Sequence, residues 1–136
     1  MPIIRCSDQK NATLEQFYTE GDHKQTLDMG AKMLSLINLI DTKFKDTTIF
    51  GLTSLYRLML LANDTYKSPW FVCIASDGQT FYIDYLVPKS NQPWADARVK
   101  GEAESIEQAF KYVLIAMTNS EGWSDNNELK KLLADT

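Results

Sequence analysis

The residues of this chain that could do chemistry are few, and they are widely separated. His23 is the only histidine, and the two cysteines, Cys6 and Cys73, share no short spacing. Catalysis of the Ser-His-Asp or Cys-His kind needs an imidazole beside the nucleophile, and a zinc site needs several His and Cys ligands together. The six glycines are scattered, so neither of the glycine-rich patterns that cradle phosphate groups occurs. The sequence therefore predicts no catalytic centre, no metal site and no cofactor built on these patterns.

Paired carboxylates are the remaining option for catalysis. Asp84 lies within a predicted strand, and Glu102 or Glu104 could approach it from the next strand. A carboxyl group near another acid has a raised pKa and can act in an acid–base pair. The same strand positions also allow an ordinary ion pair between Asp84 and Arg98 or Lys100, and this second arrangement is the favoured interpretation.

Aromatic residues suggest binding instead of catalysis. Trp94 follows a loop that lies between Pro88 and Pro93, and a tryptophan in a surface loop usually docks onto the core or onto a partner. Tyrosine and tryptophan dominate binding hot spots, and acids steer a basic partner into place. The candidate partner-binding residues are Tyr82, Asp84, Trp94, Asp96, Glu102 and Glu104, and all of them except Glu104 could form a single patch. The alternative is that Trp94 folds down onto its own sheet.

The charge of the chain is negative and unevenly distributed. The formal net charge is −4, and the stretch from Asp96 to Glu128 holds seven acidic residues against three basic ones. Such a surface repels phosphate backbones and attracts a basic protein, so the sequence predicts no nucleic-acid partner. The alternative interpretation is that these acids only keep the protein soluble.

Length and composition indicate one globular domain over residues 1–136. The chain is 44% hydrophobic and 24% charged, which is ordinary for a protein that buries its core without disulfides. Its start turns polar at Arg5 and does not resemble a signal peptide, and no apolar stretch is long enough to span a bilayer. Because Cys6 and Cys73 are unpaired, we expect a cytoplasmic protein with no membrane partner.

Apolar spacing predicts helices in both halves of the chain. The first 21 residues are polar, with weak helical periodicity near Leu14. A helix over residues 22–45 follows, with Asp22 as its cap. Its buried face consists of residues at three- and four-residue steps, namely Leu27, Ala31, Leu34, Ile37, Ile40 and Phe44. A short terminal helix is predicted over residues 125–134.

An antiparallel sheet is predicted over residues 53–101, ending in a strand over residues 97–101. Its clearest signal is Asp77-Gly78, typical of a two-residue type I′ turn with positive φ at both residues, which places Ser76 opposite Gln79. In that register the core face carries Trp70, Val72, Ile74, Phe81, Ile83 and Tyr85. The other face is half polar, so either a second element covers it or it binds something.

Two further segments complete the predicted fold. Residues 53–61 fit either a helix or a buried strand, and the spacing to the next strand favours a strand. Helix 105–119 begins at a capping box of Ser105 and Gln108, and Gly122 suits the left-handed position after its end. This helix is apolar nearly all round, so the N-terminal-half helix or a second subunit must cover it, and a homodimer is compatible with this pattern.

Together these elements predict an α+β fold. It consists of an antiparallel β-meander of three or four strands packed with a long helix from the N-terminal half and a C-terminal helix. Antiparallel architectures of this kind place their helices on one side of the sheet.

The predicted function follows from charge, size and the lack of catalytic motifs. We expect a non-catalytic, acidic binding protein of the bacterial immunity or antitoxin type, which occludes a basic partner such as a toxin domain. The alternative is a small enzyme or ligand-binding domain that uses carboxylates and tyrosines on the half-polar sheet face. That alternative predicts a concave pocket around Tyr82 and Asp84, with an acid whose pKa is perturbed.

Overall fold

A computed structural model describes residues 3–9, 13–19 and 24–136 of the chain, with only the backbone described for residues 24–28. The described strands are β1 Ile3–Arg5, β2 Ile49–Ser54, β3 Arg57–Leu61, β4 Val72–Ser76, β5 Phe81–Leu86 and β6 Arg98–Ala103. The described helices are α1 Leu14–Thr19, α2 Lys24–Lys43, α3 Ile106–Asn119 and α4 Asn127–Ala134. Asp22 and His23 lie outside the described residues. Within that part of the chain, no helix has the length and hydropathy required to cross a membrane.

The six described strands lie in one sheet in the order of the sequence, β1-β2-β3-β4-β5-β6. β1 pairs with β2 in parallel, and every other neighbouring pair is antiparallel. The α+β class is therefore confirmed, but the predicted antiparallel meander of three or four strands is too small. The polar N-terminal segment contributes a strand, and the segment before residue 62 forms two strands instead of one.

The β2–β3 hairpin lacks the residues that usually mark a turn. Ser54 pairs with Arg57, so Leu55 and Tyr56 form the loop, and Leu55 has a φ of 58°. That left-handed conformation is costly for Leu, and sequence patterns assign it to Gly, Asn or Asp. The sequence of β3 does not distinguish a strand from a helix, because no alternation of apolar and polar residues marks it. Four of its five residues are buried, although successive residues face opposite sides of the sheet. The choice of strand over helix for residues 53–61 is therefore confirmed, but a single strand is wrong, because this turn separates the end of β2 from β3.

The β4–β5 hairpin has the predicted faces but not the predicted register. Ser76 pairs with Phe81, which lies two residues beyond the predicted partner Gln79. Only Gly78 has positive φ, 95°, which is the φ pattern of a type II′ turn and not of type I′. The carboxylate of Asp77 explains the shift, because its Oδ1 accepts the N–H groups of Gln79 and Thr80. A two-residue shift leaves the strand residues on their predicted faces.

The helices pack on one face of the sheet, which we call the helix side. The fully buried side chains of its core include Phe44, Leu58, Ile74, Phe81 and Val113. α1 approaches α2 so closely at Gly30 that a Cβ there would lie 1.9 Å from the backbone oxygen of Tyr18. The buried stripe of α2 differs in part from the predicted one, because Met33 and Leu36 are buried and Ala31 is exposed.

Helix α3 begins as predicted and ends differently. The Ser105 hydroxyl accepts the N–H of Gln108, as in a capping box, and the Gln108 side chain accepts the N–H of Glu104. At the other end, Gly122 does not have the left-handed conformation predicted for it. Glycine is required there for space, because a Cβ on Gly122 would lie 2.8 Å from the ring of Phe71.

Glu128 in α4 fixes the connection between α2 and β2. Its carboxylate accepts the N–H groups of Lys45 and Asp46 at 2.7 Å and 3.1 Å, and the hydroxyl of Thr47 at 2.7 Å. Burial raises the pKa of Glu128, but the hydrogen bonds from Thr47 and the two N–H groups outweigh it, so the pKa lies below its ordinary value. The helix itself is capped by Asn126 and so begins two residues after the start of the predicted range 125–134.

Candidate partner-binding surface

The face opposite the helix side is covered over only part of its width, and we call it the open face. Residues 6–9 bring Cys6 onto this face and are held to the β3–β4 connection, because the N–H of Ser7 donates to Asp64. A small second core results, which consists of Cys6, Leu52, Met59, Leu61 and Cys73. One half of the face is therefore closed by the chain itself.

The other half of the open face, over β4, β5 and β6, holds a cavity of about 450 Å³ that we call the sheet cavity. Its side chains include Arg57, Cys73, Tyr82, Asp84, Lys100 and Glu102. Three of the candidate residues, Tyr82, Asp84 and Glu102, meet here because alternate residues of paired strands point to the same face. The concave pocket predicted by the ligand-binding alternative is thus present.

Asp84 forms an ion pair with Arg98 across the β5–β6 pair, as the favoured interpretation of the sequence predicts. The same guanidinium donates to the sulfur of Cys73 at 3.3 Å. Burial, with a further contribution from the Asp84 charge, raises the pKa of the Cys73 thiol to about 11. The thiol is therefore protonated at neutral pH, a state suited to packing and not to nucleophilic attack.

Tyr82 stands at the hairpin end of the sheet cavity, with 38% of its surface exposed. Its hydroxyl donates to Asp77 Oδ2 at 2.8 Å, and this hydrogen bond raises the pKa of Tyr82. The N–H groups of Thr80 and Gln79, together with that hydroxyl, lower the pKa of Asp77. The ring of Tyr82 is thus held in a fixed position at the surface.

A second cavity, of about 540 Å³, lies at the opposite end of β5, and we call it the loop groove. Its lining includes Trp70, Phe71, Leu86, Gln92, Asp96 and Glu121. The sequence predicts Trp70 in the core, but this is wrong, because β4 begins only at Val72 and 37% of Trp70 is exposed. Its ring lies 5.9 Å from the guanidinium of Arg57, a cation–π contact that joins the two cavities.

Trp94 projects from the connection between β5 and β6, and 72% of its surface is exposed. The alternative in which it folds down onto its own sheet is therefore wrong. The connection is nevertheless well fixed. The Gln92 side chain donates to the carbonyl of Val87 at 2.8 Å and accepts the N–H of Asp96 at 3.1 Å. The N–H of Lys89 donates to Glu121 at 2.9 Å, which ties the connection to the segment after α3.

The candidate residues therefore divide into two groups. Tyr82 lies near the start of β5 and Trp94 follows its end, so the two rings do not form the single patch that the sequence suggests. Asp96 lines the loop groove beside Trp94, whereas Glu104 lies beyond β6 at the start of α3. Sequence reasoning missed Trp70 as a residue of the groove. The only sequence signal that Trp70 lies outside the strand is the preceding Pro69, which removes a strand hydrogen bond.

In the described ranges, no group of three or more His, Cys, Asp or Glu side chains is placed to hold a metal ion. Comparisons with protein-family models, with curated proteins and with solved structures return no significant match for this chain.

Proposed function

We propose that this chain is a non-catalytic binding protein of the immunity or antitoxin type, which occludes a basic protein partner such as a toxin domain. The partner docks on the loop groove and on Trp94. The observation that carries the proposal is the exposed ring of Trp94, which lies in the chain between two residues that line the groove, where Trp70 supplies a second exposed ring. Tryptophan is the residue most enriched among binding hot spots, and clusters of such rings anchor interfaces.

The fixed conformation of the connection supports this proposal. Gln92 bridges its two ends, and Glu121 anchors it to the helical layer, so the backbone that carries Trp94 is held in position before any partner arrives. A loop whose backbone is ordered in the free protein loses less entropy on binding. An exposed ring on a well-fixed segment is therefore better suited to recognition than one on a freely moving loop.

The charge distribution supports a basic partner. Asp96 and Glu121 are exposed at the groove, and they belong to the acidic stretch from Asp96 to Glu128. Complementary charge raises the rate of association and weakens as salt is added. Two cations, Lys89 and Arg98, also line the groove. Because the Arg98 guanidinium is paired with Asp84, only Lys89 offsets the two acids, and the groove keeps a net negative charge.

The test is affinity capture with the full-length chain from a lysate of its source, followed by titration of the retained protein. We expect a basic protein whose binding weakens with salt and falls at least about tenfold in Trp94→Ala, as for a hot-spot residue. Asp96→Asn should slow association without disturbing the backbone, since Asn tolerates the left-handed φ of 61° found there.

Tyr66→Ala is the matched control, because Tyr66 is an exposed ring that does not line the loop groove. Its removal should leave the affinity unchanged. Retention of no basic protein, or of one that Trp94→Ala binds as tightly as the wild type, would contradict the proposal.

A second candidate function, a ligand-binding domain, is favoured by the sheet cavity. Its rim carries the cations Arg57 and Lys100 and the acids Asp84 and Glu102 around the hydroxyl-bearing ring of Tyr82. A small zwitterionic ligand would complement that arrangement. A metabolite that raises the melting temperature of the wild type but not of Tyr82→Ala would establish this function.

We also propose a cytoplasmic location. Both cysteines, Cys6 and Cys73, are free and buried. Free thiols are typical of proteins in reducing compartments.

A further inference from the structure

The outer edge of β6 carries unpaired backbone groups, since no described strand pairs with it. Their direction follows from the β5–β6 ladder. The N–H of Val87 donates to the carbonyl of Ala97 at 2.9 Å, in the same register as the pair Ile83 and Gly101. Alternate pairs of an antiparallel ladder share hydrogen bonds, so the odd-numbered residues of β6 bond to β5. The even-numbered residues, Arg98, Lys100 and Glu102, present their N–H and C=O groups outward.

We propose that this edge binds a second copy of the chain, by antiparallel pairing of β6 with β6 about a two-fold axis at Gly101. In that register Lys100 of each copy lies directly opposite Glu102 of the other. The two pairs of residues exchange about four backbone hydrogen bonds, and their side chains form two ion pairs on the open face. One residue farther from the axis, Val99 lies opposite Ala103. Two residues farther from it, Arg98 lies opposite Glu104.

The charges on β6 select this register over its neighbours. A two-fold axis at Lys100 would set two lysines directly opposite each other, and an axis at Glu102 would set two glutamates opposite. Like charges in that position destabilise a strand pair. Registers centred between residues are excluded, because they would set outward-facing groups against residues whose groups already bond to β5. Gly101 is the centre at which every charged residue meets its opposite.

The helix side of the same edge is also self-complementary. A groove of about 300 Å³ runs between β6 and α3, and its apolar lining includes Tyr85, Val99, Tyr112 and Ile115. The ring of Tyr112 covers Gly101, 3.5 Å from where a Cβ would stand. At the axis two glycines would face each other, so the two Tyr112 rings could approach across them and cover the missing side chains.

Val99 shows what the pairing would bury. It is 47% exposed at present, on an edge strand of six residues without proline. Exposed edges of this kind readily pair with another chain, and natural proteins protect them or use them. Pairing would move Val99 and the apolar groove away from water and extend the sheet through both copies.

The proposed contact between two copies does not depend on the proposed partner site. Trp94 lies before β6 along the chain, outside the paired residues, so each copy would keep its own loop groove. Glu102 and Glu104 would then serve the contact between copies instead of the basic partner.

The test is sedimentation velocity on the full-length chain and on two charge reversals, Lys100→Glu and Glu102→Lys. We expect the wild type to dimerise and each reversal to weaken dimerisation by about tenfold or more, because attraction becomes repulsion at two symmetric positions. An equimolar mixture of the two variants should restore the dimer, since every charge then meets its opposite. Both sites are exposed, so circular dichroism should show an unchanged fold.

Hydrogen exchange provides a second measurement that locates the contact. The amides of Lys100 and Glu102 should gain protection as concentration rises, whereas those of Val99 and Gly101 should be protected throughout. A wild type that stays monomeric at about 100 µM would overturn the proposal, as would a dimer that both reversals leave intact. Protection of Lys100 and Glu102 only when a different protein is added would also overturn it, because that protein would then occupy the edge.

Discussion

The two faces of the sheet are built on different principles. On the helix side, the four described helices cover a continuous apolar core, and the strand residues that face it, such as Ile74 and Phe81, are fully buried. On the open face, their immediate neighbours line a cavity with an ion pair between Asp84 and Arg98 and a partly exposed Tyr82. Successive residues of one strand thus serve stability and surface chemistry in turn.

The difference indicates where function can change without loss of the fold. A side chain on the helix side touches several others at crystal-like density, so its removal leaves a cavity. A side chain on the open face borders water, so its removal changes mainly what the surface can bind. Recognition is therefore expected on the open face and at its edges, where the proposed partner site and the proposed contact between copies both lie.

Phe81 and Tyr82 give the largest expected contrast, because they are adjacent in β5 and point to opposite faces. Phe81→Ala should lower the free energy of unfolding by about 3–5 kcal/mol, the usual cost of a large cavity in a core. Tyr82→Ala should lower it by less than about 1 kcal/mol. Urea denaturation of both variants measures the contrast, and equal losses would contradict the division into two faces.

Gly30 tests how tightly the helix side is packed. Gly30→Ala should lower the free energy of unfolding by about 1–3 kcal/mol, because its Cβ would collide with the backbone of Tyr18. Helix propensity alone would favour alanine by about 1 kcal/mol, so the sign of the change is informative. Ala31→Gly, at an exposed neighbouring position, measures the propensity effect by itself. A more stable Gly30→Ala variant would show that α1 does not approach α2 so closely.

Glu128 provides a pH-dependent contrast. Glu128→Gln should lower the free energy of unfolding by about 1–2 kcal/mol at neutral pH, because three hydrogen bonds lose their charged acceptor. The pKa of Glu128 is lower in the folded state than in the unfolded chain, so its stabilisation is fully present above the unfolded pKa. It is lost as the pH falls through the folded pKa, and the two proteins should converge in acid. A difference that persists unchanged in acid would contradict this assignment.

Leu55 should give the smallest effect, and with the opposite sign. It is 88% exposed and has a φ of 58°, so the side chain contributes little packing while the backbone is strained. Leu55→Gly should raise the free energy of unfolding by about 0.5–1 kcal/mol, measured by thermal or urea denaturation. Asp96→Asn is the comparison at the other non-glycine residue with positive φ in the described ranges, and it should be close to neutral. Destabilisation by Leu55→Gly would show that the side chain makes a needed contact.

Local patterns predicted the elements whose signals lie within a few residues. Helix α3 follows from the Ser105 and Gln108 spacing, and the faces of β5 follow from strict alternation around Ile83 and Asp84. Even the ion pair between Asp84 and Arg98 follows, because parity alone places both residues on one side of adjacent strands. The three candidate residues of the sheet cavity could be found for the same reason.

Elements that depend on distant residues could not be predicted in this way. β1 is three residues long and is a strand only because β2 lies beside it, 46 positions along the chain at Ile3 and Ile49. The turn at Leu55 has no local signal, since its conformation is imposed by the paired strands on either side. Trp70 and Trp94 are both apolar by type, and only the packed structure shows which parts of their rings meet water.

The order of apolar and polar residues by itself determined the α+β class, the helix around α3 and the two-sided character of β4 and β5, because each depends on a short repeat along the backbone. Tertiary structure alone decided the six-strand sheet, the closing of half of its open face by Cys6, and the exposure of the rings around the loop groove. Whether a side chain is buried depends on which other segments pack over it, and this is decided only when the whole chain has folded.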